Sequence, residues 1–505
     1  MLTDSRNGWE GRKTIPKRLL VLAGMLLFCF EAGAADISVN DKNCEYFYNE
    51  LEARDLAAAS SFVLPLTCQQ YLQLKDSVKS RNLFKPGLIC LPLAVDDQVR
   101  IFGLVEGWAG GSDSLATGVG HFRGGLLAGS GSWSLVGTYD GVSGKDFTED
   151  YYGYQWRGVK AKTDQVYLRW TGPRAFFQVG KDYLKYGMGL GLSGRQPFEK
   201  IQAGVRLGRH LGLYSFLGKL DGWLKDSIFV NRYLAGHRAE FEYGWLQLGL
   251  NEFAIYGGPG RTVELYYLLP LYFFLGEQDN RQIDDNIIWD ADFKITTPPV
   301  IITGEIMIDD IQIEDKTAGD KEPTEAGLGL QAEWAVLTKP WMVTTAASYR
   351  LVTNWTFNQN KDWNRFLFEK QPIGAEYGND FDILSWKITA RAASWFGCGE
   401  VYHIRKGQGR IDDPWTSPWM TDSTWREKFP GGIVERTAGY QLGLEWRPPL
   451  SQFLGDIPLT VFCLGRYENI SNYANNSGLR REQWFVKLGL SLYFSSKIID
   501  LDPEN

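Results

Sequence analysis

Trp484-Phe485-Val486-Lys487-Leu488-Gly489-Leu490-Ser491-Leu492-Tyr493-Phe494 is apolar at every second position. Successive side chains of a strand point to opposite faces, so Trp484, Val486, Leu488, Leu490, Leu492 and Phe494 share one face. Phe485, Lys487, Gly489, Ser491 and Tyr493 share the other. Apolar outside and small or charged inside is the pattern of a strand with lipid on one side and a watery lumen on the other. The same dyad recurs in Leu246, Leu248 and Leu250, in Leu328, Leu330, Ala332, Trp334 and Val336, and in Leu442, Leu444 and Trp446. A soluble sandwich alternates in the same way, so the strands alone do not decide.

The connections do. Tight turns are expected at Gly129–Gly131, Thr171–Arg174, Gly208–Leu211, Tyr243–Trp245, Thr296–Pro299, Thr338–Trp341 and Ser394–Gly397. Between them lie long polar connections at 140–163, 182–198, 221–231, 254–285, 310–324, 355–381, 406–435 and 469–483. One short turn followed by one long loop is the periplasmic/extracellular asymmetry of outer-membrane barrels, and the segmentation gives about 18 antiparallel strands, an even number as closure requires. Trp108, Trp133, Trp170, Trp245, Trp334, Trp341, Trp386, Trp395, Trp446 and Trp484 fall near strand ends, where interfacial aromatic girdles belong.

The N-terminus gives the compartment. Arg12, Lys13, Lys17 and Arg18 precede the apolar run Leu19–Phe30, and Ala32-Gly33-Ala34 is an A-x-A cleavage site, so 1–34 reads as a signal peptide. That run is too short for a permanent spanning helix. Residues 35–95 read as a small helical periplasmic segment. Thr67 and Gln70 there form a capping box ahead of Tyr71, Leu72, Leu74 and Val78, and Pro86-Gly87 ends the helix. Residues 96–495 are then the all-β transmembrane barrel and 496–505 a periplasmic tail. The net charge of −7 offers no basic stripe for phosphates, which excludes nucleic acid as a partner. Cys44, Cys68, Cys90, Cys398 and Cys463 remain after cleavage. Their odd number forbids complete pairing within the chain, and Cys463 is expected to be buried in a strand.

Further residues resemble the capsule-assembly (Wzi) family of outer-membrane proteins. Val179-Gly180-Lys181-Asp182-Tyr183-Leu184-Lys185-Tyr186-Gly187, ending in Leu192-Ser193, is similar to a family segment, although Tyr186 and Met188 stand where the family prefers Trp and Pro. Arg232-Tyr233-Leu234-Ala235-Gly236-His237-Arg238 with Glu240 resembles its next strand. Asn251-Glu252, Arg261, Glu264, Asp285-Asn286, Asp290, Gly304-Glu305 and Asp309-Asp310 follow in the family's order. The likeness spans 179–310 and fades after about residue 330, where Arg405-Lys406-Gly407 is its last trace. It implies an 18-stranded barrel with a periplasmic helical bundle, and retention of capsular or extracellular polysaccharide at the cell surface.

Other signals are weaker. Gly189-Leu190-Gly191-Leu192-Ser193-Gly194 matches G-x-G-x-x-G but lacks the strand–helix context of a dinucleotide loop, so close backbone packing explains it better. His121, His210, His237 and His403 lack metal-site spacing. His237 is assigned to a lumenal network with Arg238, Glu240 and Glu252. Asp284, Asp285, Asp290, Asp292, Asp309 and Asp310 have oxygens suited to calcium, without regular loop spacing. Trp355, Trp363, Trp415, Trp419 and Trp425 lie in two long loops, where indole faces either stack on sugar rings or pack the loops together as a lid. No catalytic triad, metal or cofactor motif is found, so a non-enzymatic barrel is expected. It would be monomeric in outer-membrane lipid, inserted by the barrel-assembly machinery, with a polysaccharide partner. A porin-type transport channel is the alternative. The loop Lys181–Gln196 is expected to constrict the lumen, held by Arg232, Arg238 and Glu252.

Overall fold

The computed structural model describes residues 98–112, 115–144, 155–225, 227–310, 323–338, 341–392, 394–422, 424–448 and 459–500, with two short pairs at 38–39 and 66–67. The expected signal peptide and prefix helices lie outside these residues, as do Cys44, Cys68 and Cys90. Eighteen long strands form one closed antiparallel barrel. They are β1 (Gln98–Ser112), β2 (Leu115–Ser130), β3 (Trp133–Gly144), β4 (Val159–Thr171), β5 (Ala175–Asp182), β6 (Phe198–Leu207), β7 (Leu211–Lys219), β8 (Ile228–Tyr243) and β9 (Leu246–Gly258). The second half comprises β10 (Asn286–Thr297), β11 (Val300–Asp310), β12 (Glu325–Thr338), β13 (Trp341–Val352), β14 (Phe381–Ala392), β15 (Trp395–Lys406), β16 (Glu435–Trp446), β17 (Leu459–Ser471) and β18 (Arg480–Asp500).

Closure is made by β18 against β1, paired from Phe485 opposite Ser112 to Asp500 opposite Gln98, with one register shift between Lys497 and Ile499. The alternating pattern of 484–494 is therefore the middle of a longer strand. Residues 496–500, assigned from sequence to a tail, pair with the start of β1, whose free backbone extends the ladder past the point where the hydrophobic dyad stops. Both ends of the barrel chain lie at the short-turn rim. The strand β15 begins at Trp395, so Gly397 pairs with Ala390 in a ladder instead of making the expected turn.

The faces fall as the dyad requires. Trp484, Val486, Leu488, Leu490, Leu492 and Phe494 are exposed on the outside, as are Leu328, Leu330, Trp334, Leu442 and Leu444. No described helix is long and apolar enough to cross a membrane, and the strands make the crossing instead. Trp133, Trp245, Trp341, Trp395 and Trp446 stand out from the wall at or beside the short turns, and Trp395 stacks on Trp446 at 5.7 Å. That is an interfacial girdle on the short-turn side. Trp108 departs from it: the Lys487 ammonium lies 4.6 Å from its ring, on the lumenal face. Cys463 is exposed, not buried as expected, because its position in β17 puts it on the outer face. A closed barrel with this lipid-facing belt belongs in an outer membrane.

Candidate functional site

Two long loops fold inward against the lumenal wall. Segment 183–197 carries Leu184, Tyr186, Leu190 and Leu192 into a buried apolar cluster with Phe216, Leu234, Phe253, Ile255, Ile288 and Met307 of the wall. Segment 353–380 adds Phe357, Phe366, Leu367 and Ala375 to it. The loops are stitched together by Ser193 Oγ donating to the Ile373 carbonyl at 2.8 Å and Ala375 N donating to the Leu190 carbonyl at 2.9 Å. The glycine-rich motif has a steric purpose here. Gly189 and Gly194 have φ of +90° and +64°, in the left-handed region, and a Cβ on Gly191 would stand 2.8 Å from the Phe253 ring.

The sequence expectation for the constriction is met in place but not in its fastenings. The segment is latched by Glu305, whose Oε1 accepts the amides of Leu190 at 2.8 Å and Gly191 at 3.0 Å. Glu305 stood inside the family-like block and was not singled out. Arg238 contributes through its guanidinium, 5.3 Å from the Tyr186 ring. Arg232 holds the other loop instead, donating to the carbonyls of Trp363 at 2.7 Å, Arg365 at 2.8 Å and Leu367 at 2.8 Å, and pairing with Asp221 at 3.0 Å. Asn286 donates to the Asn364 carbonyl at 3.1 Å, and Asp309 accepts the Phe357 amide.

The polar lumenal set is a hydrogen-bonded network. Arg238 bonds Glu240 at 3.0 Å and Asn251 at 2.9 Å and is bidentate on Asp292, while Asn251 also donates to Asp290. Gly249 makes the room, since a Cβ there would meet the Arg238 guanidinium at 2.2 Å. Asp182 accepts from Gln165 at 2.6 Å and Gln178 at 2.9 Å. Asp292, weighed above as a calcium ligand, spends both oxygens on these contacts, whereas Asp290 uses Oδ1 alone and its Oδ2 is buried without a hydrogen-bond partner.

His237 and Glu252 are not in that network. Arg238 and Glu240 face the lumen, so their neighbour His237 faces outward, where it pairs with Glu252 at 3.2 Å. Arg261, Glu264 and Asp285 belong to this outer group. Arg261 bonds Asp285 at 3.0 Å and 3.1 Å and Glu264 at 2.7 Å. Strand alternation forbids His237 and Arg238 from sharing a side, and the sequence reading grouped them by proximity in the chain.

Above the plug, at the long-loop rim, is a cleft of about 560 Å³. Its walls carry Trp223 and Tyr377 together with Asp221, Lys370, Lys406 and Arg410. Glu369 and Lys370 both have positive φ, which closes the small hairpin of Leu367–Phe368 with Gln371–Pro372 and brings Lys370 to the cleft. Lys406 donates to the Tyr377 carbonyl at 2.9 Å and Arg410 to the Gly407 and Gly409 carbonyls at 2.8 Å. These cations are thus positioned by neutral groups. Burial and the neighbouring Glu376 carboxylate push the Tyr377 phenol up to about 12. These residues come from separate loops, and only Arg405-Lys406-Gly407 carried any sequence signal.

Of the five loop tryptophans, Trp355, Trp415, Trp419 and Trp425 come together. Trp419 is central, 8% exposed, with ring centroids 5.2 Å from Trp355, 5.6 Å from Trp415 and 5.7 Å from Trp425. Trp419 therefore packs the lid, while Trp355, Trp415 and Trp425 are half-buried around it. Trp363 stands apart, beside Gly257 and the Arg232 anchor. Arg365 joins the two loops through the Asp412 carbonyl at 3.2 Å and the Asp413 carbonyl at 2.8 Å. Nearby, burial and then the Asp380 carboxylate push the Glu427 carboxyl up to about 7.

No protein-family model and no curated protein matches the chain. Solved structures do. The chain is similar to Wzi of Escherichia coli, an outer-membrane protein involved in group 1 capsule assembly and described as a carbohydrate-binding β-barrel. The TM-score is 0.59 at 12% identity, covering 92% of this chain and 99% of that one. It also matches OpdK of Pseudomonas aeruginosa, solved with vanillate (TM-score 0.45, 10% identity, 79% and 99% covered), and OprD of the same organism (0.43, 11%, 79% and 96%). At such identities the likeness to Wzi is one of fold.

Proposed function

We propose that this barrel binds extracellular or capsular polysaccharide and holds it at the cell surface, without catalysing a reaction. The observation that carries the reading is the combination of a lumen packed with apolar side chains and a rim cleft that pairs aromatic faces with charged groups. Sugar rings present apolar C–H faces to Trp223 and Tyr377, and hydroxyls to Asp221, Lys370 and Arg410. The half-buried Trp355, Trp415 and Trp425 extend such a surface, and Trp363 and Trp419 support it from below. The family-like block at 179–310 and the fold shared with a carbohydrate-binding barrel support the same reading. The protein acts as a monomer, delivered by the barrel-assembly machinery.

The test compares cell-bound with shed polysaccharide. Deleting the gene should release polymer without lowering the total made. Trp223→Ala with Tyr377→Ala should weaken retention while leaving heat-modifiable barrel mobility on gels intact, and so should Trp415→Ala to a smaller degree. Single-channel recording of the purified wild type should show no steady open state. Unchanged retention with a large, steady conductance would overturn the proposal in favour of a porin-type channel.

A further inference from the structure

The β9–β10 connection, 259–285, does not lie over the mouth of the barrel. Its Tyr267 and Phe274 pack against Leu217, Tyr233, Ala235, Ala254 and Tyr256. Those wall residues alternate with Phe216, Leu234, Phe253 and Ile255 of the lumenal cluster, so they occupy the opposite, outer face. The segment is pinned there. Tyr256 stacks on Tyr233 at 5.0 Å and on Tyr267 at 4.5 Å. Ser215 Oγ donates to the Leu268 carbonyl at 2.6 Å, and Tyr267 OH donates to Asp285 at 2.6 Å. Glu252 accepts the Phe274 amide at 3.0 Å and the Leu275 amide at 3.3 Å, so a carboxylate of the wall caps the helix Phe274–Arg281. Trp289 Nε1 donates to the same carboxylate at 3.0 Å.

Between 263 and 273 the other side of this segment is apolar and uncovered, while Asn280 and Arg281 at the helix end are exposed and polar. Val263, Leu265, Leu269 and Phe273 are each more than half exposed, and Leu271 reaches 84%. The segment shields the wall down to His237, six positions before β8 ends at Tyr243. Strands rise about 3.3 Å per residue and tilt by roughly 40°, which puts His237 about 15 Å above the short-turn rim, inside an apolar band about 25 Å tall. Below it the wall continues directly into exposed Phe241, Leu248 and Leu250.

We propose that residues 263–274 form a flap embedded in the outer leaflet, taking lipid acyl chains on Val263, Leu265, Leu269, Leu271 and Phe273. Continuity with the lipid-facing wall selects this occupant over the medium. The flap replaces wall surface that would otherwise show lipid a polar slot made by Ser215, His237, Glu252 and the Trp289 indole N–H. In a hydrocarbon environment such groups need partners; the flap backbone supplies them to Ser215 and Glu252, and Glu252 in turn holds His237 and the Trp289 indole N–H.

The full-length barrel carrying Leu271→Cys, reconstituted in phospholipid nanodiscs, tests this by labelling with two maleimides, one charged and one lipid-soluble. Peptide-level mass spectrometry separates the new cysteine from the native ones, and Lys370→Cys at the rim is the water-exposed control. Leu271→Cys should react with the charged reagent at least tenfold more slowly than Lys370→Cys, and readily with the lipid-soluble one. Adding Glu252→Ala, which removes the helix cap, should raise charged labelling of Leu271→Cys while β18 still closes the barrel, as heat-modifiable mobility reports. Equal charged labelling of Leu271→Cys and Lys370→Cys would place the segment in the medium and overturn the proposal. Efficient disulfide linkage of Leu271→Cys between barrels in native membranes would assign the face to a second copy instead, and overturn it equally.

Discussion

Tyr186 offers the sharpest test of the closed lumen. Its side chain is fully buried, stacked at 5.9 Å on Phe253, edge-on at 6.3 Å to Phe216, with the Arg238 guanidinium 5.3 Å from the ring. Truncating such an aromatic to Ala removes about 3–5 kcal/mol of packing. Its hydroxyl is buried without a protein partner, a group that costs about 1–3 kcal/mol when left unsatisfied. Tyr186→Phe should therefore be neutral or stabilising, whereas Tyr186→Ala should be strongly destabilising. The barrel wall is closed by its own ladder, so the loss should appear as release of segment 183–197 rather than as unfolding. At about 1.4 kcal/mol per power of ten, the closed-to-open ratio falls by roughly two to three and a half powers of ten. Planar-bilayer recording should show frequent open events for Tyr186→Ala and none for Tyr186→Phe, with trypsin cutting at Lys185 only in the former. An alanine variant as closed as wild type, or a phenylalanine variant as leaky as alanine, would refute the argument.

Leu488→Arg or Leu490→Arg, on the outer face of β18, should each cost about 2–4 kcal/mol where they meet the bilayer midplane, while lumenal Ser491→Arg is tolerated; equilibrium unfolding in lipid vesicles separates the two faces. Arg238→Ala should lose about 3–5 kcal/mol in the same assay, because Glu240 and Asp292 are left as uncompensated buried charges. The Glu427 carboxyl, held near 7 by burial, binds its proton more tightly in the folded loops than in an unfolded chain. Stability of the loop lid should accordingly fall as pH rises from about 4.5 to about 7 and level off above. Hydrogen exchange of 407–434 should follow that profile, and Glu427→Gln should abolish it; a flat wild-type profile would contradict the burial.

The barrel was legible because strand alternation and loop length are local properties, readable from Trp484–Phe494 or from Gly208–Leu211 without knowing what packs on what. Where the inference reached across the fold it held less well. Asp182, Arg238, Glu240 and Asp290 share the lumen because their parity in neighbouring strands agrees, but His237 was drawn in by adjacency although one residue along a strand reverses the face. The rim cleft left almost no trace, since Trp223, Lys370, Tyr377 and Arg410 sit in loops whose relative placement depends on anchors such as Arg232 and Arg365. The extra pairing at 496–500 was hidden for a related reason: its partner strand, β1, lies at the far end of the sequence.

The long loops diverge because each carries a different surface to bury. Segment 183–197 is apolar at Leu184, Tyr186, Leu190 and Leu192, and its glycines allow the tight path that brings all four against the lumenal wall. Segment 353–380 is mixed, so it covers the plug with Phe357 and Phe366 and leaves Lys370 and Tyr377 to the rim. Segment 263–274 is apolar on two sides. Tyr267 and Phe274 need the aromatic patch of Tyr233 and Tyr256, while Leu269 and Leu271 need a second apolar environment. The lumenal face of this stretch of wall is already covered by the other two loops, which leaves the membrane as the environment that satisfies both sides. Loop composition thus sorts three segments of the same rim into plug, cover and flap.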